Sequence, residues 1–268
     1  MGDRGNMKKF VFFTLLLFLF SACTAPASTQ IEDEATLTVF AAASMSDVLS
    51  EIAEVYTAKH PDVNIVFNFD SSGTLRTQIM EGANADMFIS AATREMDQLE
   101  EANFILNDTR VDVLENQAVL VTSAENASAI RSFSDMADAL VAGNGLMTMG
   151  NMDVPAGRYA QEILQYFGLD HEILARTGVI TYASNVRTVA TQVREGSAGF
   201  GIVYLTDAVG FDLYVIDIAT PEMTGRIIYP AAVLSGSQNA ARAQSFLDFL
   251  QNDTAAAIFL ARGFLPLR

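Results

Sequence analysis

The sequence contains one cysteine, two histidines, no tryptophan and half as many basic residues as acidic ones, 16 Lys and Arg against 32 Asp and Glu. A lone cysteine, Cys23, cannot close an internal disulfide, so the core must hold the fold. His60 and His171 stand apart in turn-like contexts, which argues against a metal cluster and against a histidine-centred catalytic dyad. The Gly-x-Ser-x-Gly elbow of many exported hydrolases is also missing, so a serine hydrolase is disfavoured. Gly199-Phe-Gly201 lacks the third glycine and following helix of a dinucleotide fingerprint. The formal net charge of −16 makes nucleic acid and anionic membrane surfaces poor partners. An anion bound by this chain must be held by local donors against an unfavourable overall field.

What is present begins with a leader. Arg4, Lys8 and Lys9 precede an apolar run from Phe10 to Phe20, broken only by Thr14, which is too short to span a bilayer but suits a signal peptide over residues 1–22. The protein is therefore expected outside the cytoplasm. Ser21-Ala22-Cys23 resembles the lipobox of bacterial lipoproteins, in which the cysteine becomes the lipidated first residue, although Phe20 stands where leucine is usual. Ordinary cleavage near Ala25-Pro26-Ala27 is the alternative. Residues 23–36 are mostly polar and aperiodic, and read as a tether carrying the lipid. Loss of the leader removes three cations and Asp3, leaving a charge of −18.

The remaining chain alternates strand and helix patterns, which implies an α/β fold with mainly parallel sheets flanked by helices. Thr38 to Ala43 reads as a buried strand that stops at Ser44, and Val48, Leu49, Ile52, Ala53 and Tyr56 then recur at helical spacing, with Ser44 or Ser46 as the N-cap. The first turn of a helix has backbone N–H groups without intrahelical partners, so such a junction is a ready anion site. Similar junctions recur: the strand Val63–Phe69 breaks at Asp70-Ser71-Ser72-Gly73, Gly150 leads to Val154-Pro155-Ala156, and the strand Gly178–Ala183 leads to Ser184-Asn185-Val186. A further strand, Ala198–Tyr204, carries its tyrosine at the carboxyl end. In open α/β sheets ligands sit outside the carboxyl ends of the strands, where all these residues fall. Two lobes facing each other would bring them to one cleft, with the apolar run Gln117–Thr122 carrying the chain across. Met45, Met147, Met149 and Met152 near these turns are read as gap-filling core residues, and Arg76, Arg158 and Arg187 as exposed or rim-paired.

Six segments carry a family resemblance: Thr38-Val-Phe-Ala-Ala-Ala-Ser44, Ser71-Ser72-Gly-Thr-Leu, Ala85-Asp-Met-Phe-Ile-Ser90, Val154-Pro-Ala-Gly157, Asn185-Val-Arg187 and Gly201-Ile-Val-Tyr204. In this order they resemble the molybdate-binding protein of bacterial ABC importers, over essentially the whole chain after the tether. The resemblance implies a two-lobed periplasmic-binding-protein fold, with residues 37–115 plus 227–268 as lobe 1 and 116–226 as lobe 2, closing on a tetrahedral oxyanion. It implies hydroxyl and backbone donors from Ser44 and Ser72, backbone N–H donors from Ala156 and Val186, and a phenolic hydroxyl from Tyr204. Direct coordination of the metal is not implied, nor is any cofactor or catalytic residue. The partners implied are an importer permease with its ATPase, and a monomer is expected. The sequence departs from the family at Asn151-Met152, where Asp-Pro is common, and at Ser184, where an acidic residue is common, so the cleft rim here is expected to be less acidic. Molybdate and tungstate are fully ionised and need donors only. Sulfate, phosphate and a receptor-coupled sensing role remain alternatives.

Overall fold

The computed structural model describes residues 35–124 and 130–267. The leader, Cys23 and nearly all of the tether lie outside the described residues. The described residues form one compact unit, built around two sheets. In chain order the elements are β1 (Ala35–Ala42), α1 (Ser46–Thr57), β2 (Val63–Asp70), α2 (Ser72–Met80), β3 (Met87–Ile89), α3 (Thr93–Glu101), β4 (Val111–Asn116), β5 (Ala118–Thr122), α4 (Phe133–Val141), β6 (Met147–Gly150) and α5 (Pro155–Tyr166). Then follow α6 (His171–Arg176), β7 (Ile180–Ala183), α7 (Val186–Arg194), β8 (Phe200–Tyr204), α8 (Leu205–Gly210), β9 (Tyr214–Ile218), α9 (Pro221–Thr224), β10 (Ile227–Val233), α10 (Ala240–Leu250), α11 (Asp253–Ala261) and β11 (Leu265–Pro266).

The first sheet has the order β11-β4-β10-β3-β1-β2 and the second β7-β6-β8-β5-β9. The α/β architecture with helices flanking two sheets is as expected from the sequence, but the sheets are mixed rather than mainly parallel. Parallel pairing is confined to β1 with β2 and β3, and to β6 with β7 and β8. β10 runs antiparallel to β3 and β4, and β5 antiparallel to β8 and β9. These are the strands by which the chain arrives from the other sheet, so they enter from the opposite end. A single residue, Gln117, separates β4 in the first sheet from β5 in the second.

The central strands β5, β6, β8 and β10 are buried along their whole length, which explains why none carries a charged residue: both faces are covered. Pro230, which cannot donate to a ladder, sits at a register shift between β10 and β4, where a missing N–H is tolerated. α1 turns Val48, Leu49, Ile52, Ala53 and Tyr56 inward, and each fully buried large apolar side chain contributes roughly 1.5–3 kcal/mol. Gly157 lets α5 dock on the end of β6, since a methyl there would lie 2.3 Å from the Gly150 carbonyl oxygen. No helix among the described residues is long and apolar enough to cross a membrane.

Candidate functional site

The carboxyl ends of β1, β2, β6, β7 and β8 meet around a tight cavity of about 10 Å³, lined by Ala42, Ala43, Ser44, Asp70, Ser71, Ser72, Ala91, Val154, Pro155, Ala156, Val186 and Tyr204. All five residues singled out from the sequence, Ser44, Ser72, Ala156, Val186 and Tyr204, line it. That is room for about one water-sized sphere, since ~10–15 Å³ of such space holds a single water, and it is far below the ~300–1,000 Å³ of drug-sized ligand sites. The lining contains no lysine, arginine or histidine.

Each donor is oriented by local chemistry. α2 starts at Ser72 because the Ser71 side chain caps it, accepting from the Thr74 N–H at 3.1 Å. The Ser72 Oγ accepts from the Ala91 N–H at 3.0 Å, which leaves its own proton free to be donated into the cavity. Pro155 is the first residue of α5, so Ala156 offers the first N–H of that helix. Asn185 caps α7 by accepting from the Thr188 N–H at 3.0 Å, and Val186 opens the helix. The Ala156 and Val186 N–H groups, at the starts of the two helices, have no preceding helical turn to accept them and lie at the positive end of the helix dipole.

Ser44 is a correction to the sequence reading. It caps nothing: residues Ala43–Met45 form a 3₁₀ turn, and Met45, with no capping side-chain bond, precedes α1. Its Oγ lies 3.1 Å from the Tyr229 hydroxyl, which also receives an N–H from Asn116 Nδ2 at 3.2 Å. Asn116 Nδ2 also donates to Thr206 Oγ1 at 3.0 Å. Either hydroxyl can donate in the Ser44–Tyr229 pair; with Asn116 already donating to the Tyr229 oxygen, a Tyr229 O–H directed at Ser44 leaves the Ser44 proton available to the cavity. Tyr229 and Asn116 carry no signal in the sequence, because they lie 185 and 72 positions from Ser44 along the chain.

Tyr204 is 1% exposed, and its hydroxyl is buried without a hydrogen-bond partner. Burial, followed by the neighbouring Tyr229, Tyr159 and Asp207, holds its pKa well above the usual phenol value, so it is a protonated donor. Asp70 is the one charged residue in the lining, and its Oδ1 accepts from the Ser71 N–H at 2.7 Å. Three residues past Tyr204, Asp207 is 2% exposed, and no side-chain donor reaches its carboxylate oxygens. Burial pushes its pKa up to about 7, against the pull of Arg187.

The arginines flanking these turns are paired. Arg187 reaches Asp47 at 3.1 Å with both side chains partly exposed, as expected of a rim pair, whereas Arg158 meets Glu95 at 2.7 Å in a buried pair. Arg76 donates to Gln98 and Thr77. His60 stacks on Tyr56 and His171 bonds the Tyr182 hydroxyl; neither lines the cavity. Among the described residues no group of acids, histidines or cysteine could hold a metal ion directly.

Two sheets joined by Gln117 and by residues 219–226, with a small donor-lined cavity at their strand ends, define a binding protein for a small polar solute. Residues 37–265 match the family model of bacterial extracellular solute-binding proteins, and the chain belongs to that family. It is 33% identical over 263 residues to a putative ABC transporter substrate-binding lipoprotein of Bacillus subtilis, covering 96% of this chain and 98% of that protein. It is 36% identical over 245 residues to the molybdate-binding protein of Escherichia coli, covering 90% and 93%. The periplasmic molybdate-binding protein of Azotobacter vinelandii has the same fold, with a TM-score of 0.76 at 22% identity over 87% of this chain and 100% of that one. The family is one of extracytoplasmic binding proteins, not enzymes, and needs no cofactor.

Proposed function

We propose that this protein captures molybdate or tungstate outside the cytoplasmic membrane and delivers it to an ABC importer, whose ATPase supplies the energy. In this reading Ser44, Ser72 and Tyr204 give hydroxyl protons to the oxyanion, and Ala156 and Val186 give backbone N–H groups. Residues 37–115 with 227–268 would move as one lobe and 116–226 as the other. Cys23 would carry the lipid that retains the monomeric protein at the membrane.

The observation that carries the reading is the unpartnered Tyr204 hydroxyl, held in a small cavity among helix starts and serines. A buried hydroxyl left without a partner costs about 1–3 kcal/mol, and an oxyanion in the cavity would repay it. Neutral donors suit a dianion that carries no proton, and closing the cleft excludes water and strengthens each charge-assisted bond. The relatives named for molybdate support the choice of ion.

A second reading rests on Asp70. A carboxylate at the cavity wall would accept the proton that phosphate retains at neutral pH, although one of its oxygens is already engaged by Ser71. Calorimetric titration with molybdate, tungstate, sulfate and phosphate separates the two. Molybdate and tungstate should bind at least about a hundredfold more tightly, a gap of ~2.7 kcal/mol. Phosphate binding as tightly as molybdate would transfer the assignment to the second reading.

A further inference from the structure

Around the cavity the two halves of the molecule meet at the Tyr204 and Tyr229 rings and at polar contacts, three of which join helices of one half to the other. The Gly73 N–H, from α2, donates to the Asp153 carbonyl at 3.1 Å, and Asp47, from α1, pairs with Arg187, from α7. The third point differs in kind. Glu95 lies on α3, beside the first sheet, and its side chain is 2% exposed; Arg158 lies on α5, beside the second, and its side chain is 14% exposed. Their atoms Oε2 and Nη2 are 2.7 Å apart, and Arg158 Nη1 also donates to the Met152 carbonyl at 3.1 Å in the turn leading to Ala156. Among the described residues no other side chain pairs with Glu95.

From this geometry we infer that Glu95 and Arg158 form a closure clasp, a buried ion pair made only when the halves meet, which sets the affinity for the ion without touching it. The inference rests on the reading of the cavity as an oxyanion site. Separating the halves would return both groups to water. Closing strips water from each, and the pair compensates that loss only if both members are present. A single deletion strands one charge in the closed interface, while neutralising both leaves no charge to strand. Arg158 lies two residues beyond the Ala156 N–H, so the clasp also fixes the α5 start over the cavity. The partly exposed Asp47–Arg187 pair is screened by solvent and serves as an internal control.

The test is a set of variants, Glu95→Gln, Arg158→Gln, the double variant and Asp47→Asn, each titrated with molybdate and measured without ligand by small-angle scattering and thermal melting. Each single clasp variant should weaken binding by at least about tenfold. The double should lose far less than the product of the singles, and Asp47→Asn should stay within about threefold of the parent. The ligand-free single variants should show a larger radius of gyration at an unchanged melting temperature, which a purely structural pair would lower. If Arg158 acted instead by attracting the anion, Glu95→Gln would bind molybdate more tightly, and that result overturns the clasp. Additive losses, or an unchanged radius of gyration in both singles, would also overturn it. Should the parent fail to bind molybdate, the functional reading falls, while the scattering comparison still decides the clasp.

Discussion

The substitution Tyr204→Phe separates a ligand donor from an ordinary core tyrosine, because the two roles predict opposite signs. The ring is fully packed, with edge contacts to Tyr159 and Tyr229, but the hydroxyl has no partner. Deleting it removes no hydrogen bond from the ligand-free protein and leaves the packing intact. The ligand-free melting temperature should therefore hold or rise, by about 2–4 °C for each kcal/mol of relieved desolvation in a domain of this size. Binding should behave differently. A hydrogen bond to a charged group is worth about 1.5–3 kcal/mol, so molybdate affinity should fall by roughly 10- to 150-fold. Tyr229→Phe is the control, since its hydroxyl joins Asn116 to Ser44. That variant should lower the ligand-free melting temperature. Calorimetry and melting curves with and without molybdate measure both quantities. A Tyr204→Phe protein that melts lower and binds molybdate within twofold of the parent would refute the reasoning.

Ser44→Ala and Ser72→Ala should each weaken molybdate binding by about 1.5–3 kcal/mol. Ser72→Ala should in addition lower the ligand-free stability by ~1–3 kcal/mol, because the Ala91 N–H loses its acceptor; urea unfolding checks this. Gly73→Ala puts a methyl 2.1 Å from the Asp153 carbonyl oxygen. It should cost closure ~1–3 kcal/mol as an overpacked contact, seen as weaker molybdate binding without loss of ligand-free melting temperature. Asp207, raised from 3.8 to about 7 by burial, binds its proton more tightly in the folded than in the unfolded chain. Its contribution to stability is therefore full below about pH 4 and is lost as pH rises to about 7, by at most about 4 kcal/mol. Asp207→Asn should accordingly melt higher than the parent at pH 8 but not at pH 4.5; an equal difference at both pH values would contradict this.

The parts of the site built from local chemistry were legible in the sequence. Pro155 at the first position of α5 and Asn185 as the cap of α7 are short-range signals, and the structure has both. What was not legible depends on distant pairing. Strand direction is invisible to periodicity, so an alternating strand and helix pattern reads as parallel throughout, whereas β5 and β10 run antiparallel to their neighbours. β4 was overlooked because Val111–Asn116 mixes acids with apolar residues, as an edge-side strand does. Ser44 looked like a cap because a serine before a helical pattern usually is one, whereas its partner here is Tyr229 on the far strand β10. Glu95 sits in a highly charged helix, Thr93–Glu101, and nothing local distinguishes it from its exposed neighbours until Arg158 arrives from the second half.

The account depends on a dianion occupying the space between the serines, the two helix starts and Tyr204. Crystals grown with molybdate and measured at the molybdenum absorption edge test that directly. The account predicts one anomalous peak in the cavity, with oxygens in hydrogen-bond reach of Ser44, Ser72, Ala156, Val186 and Tyr204. A peak elsewhere on the molecule, or an empty cavity at saturating molybdate, would contradict it.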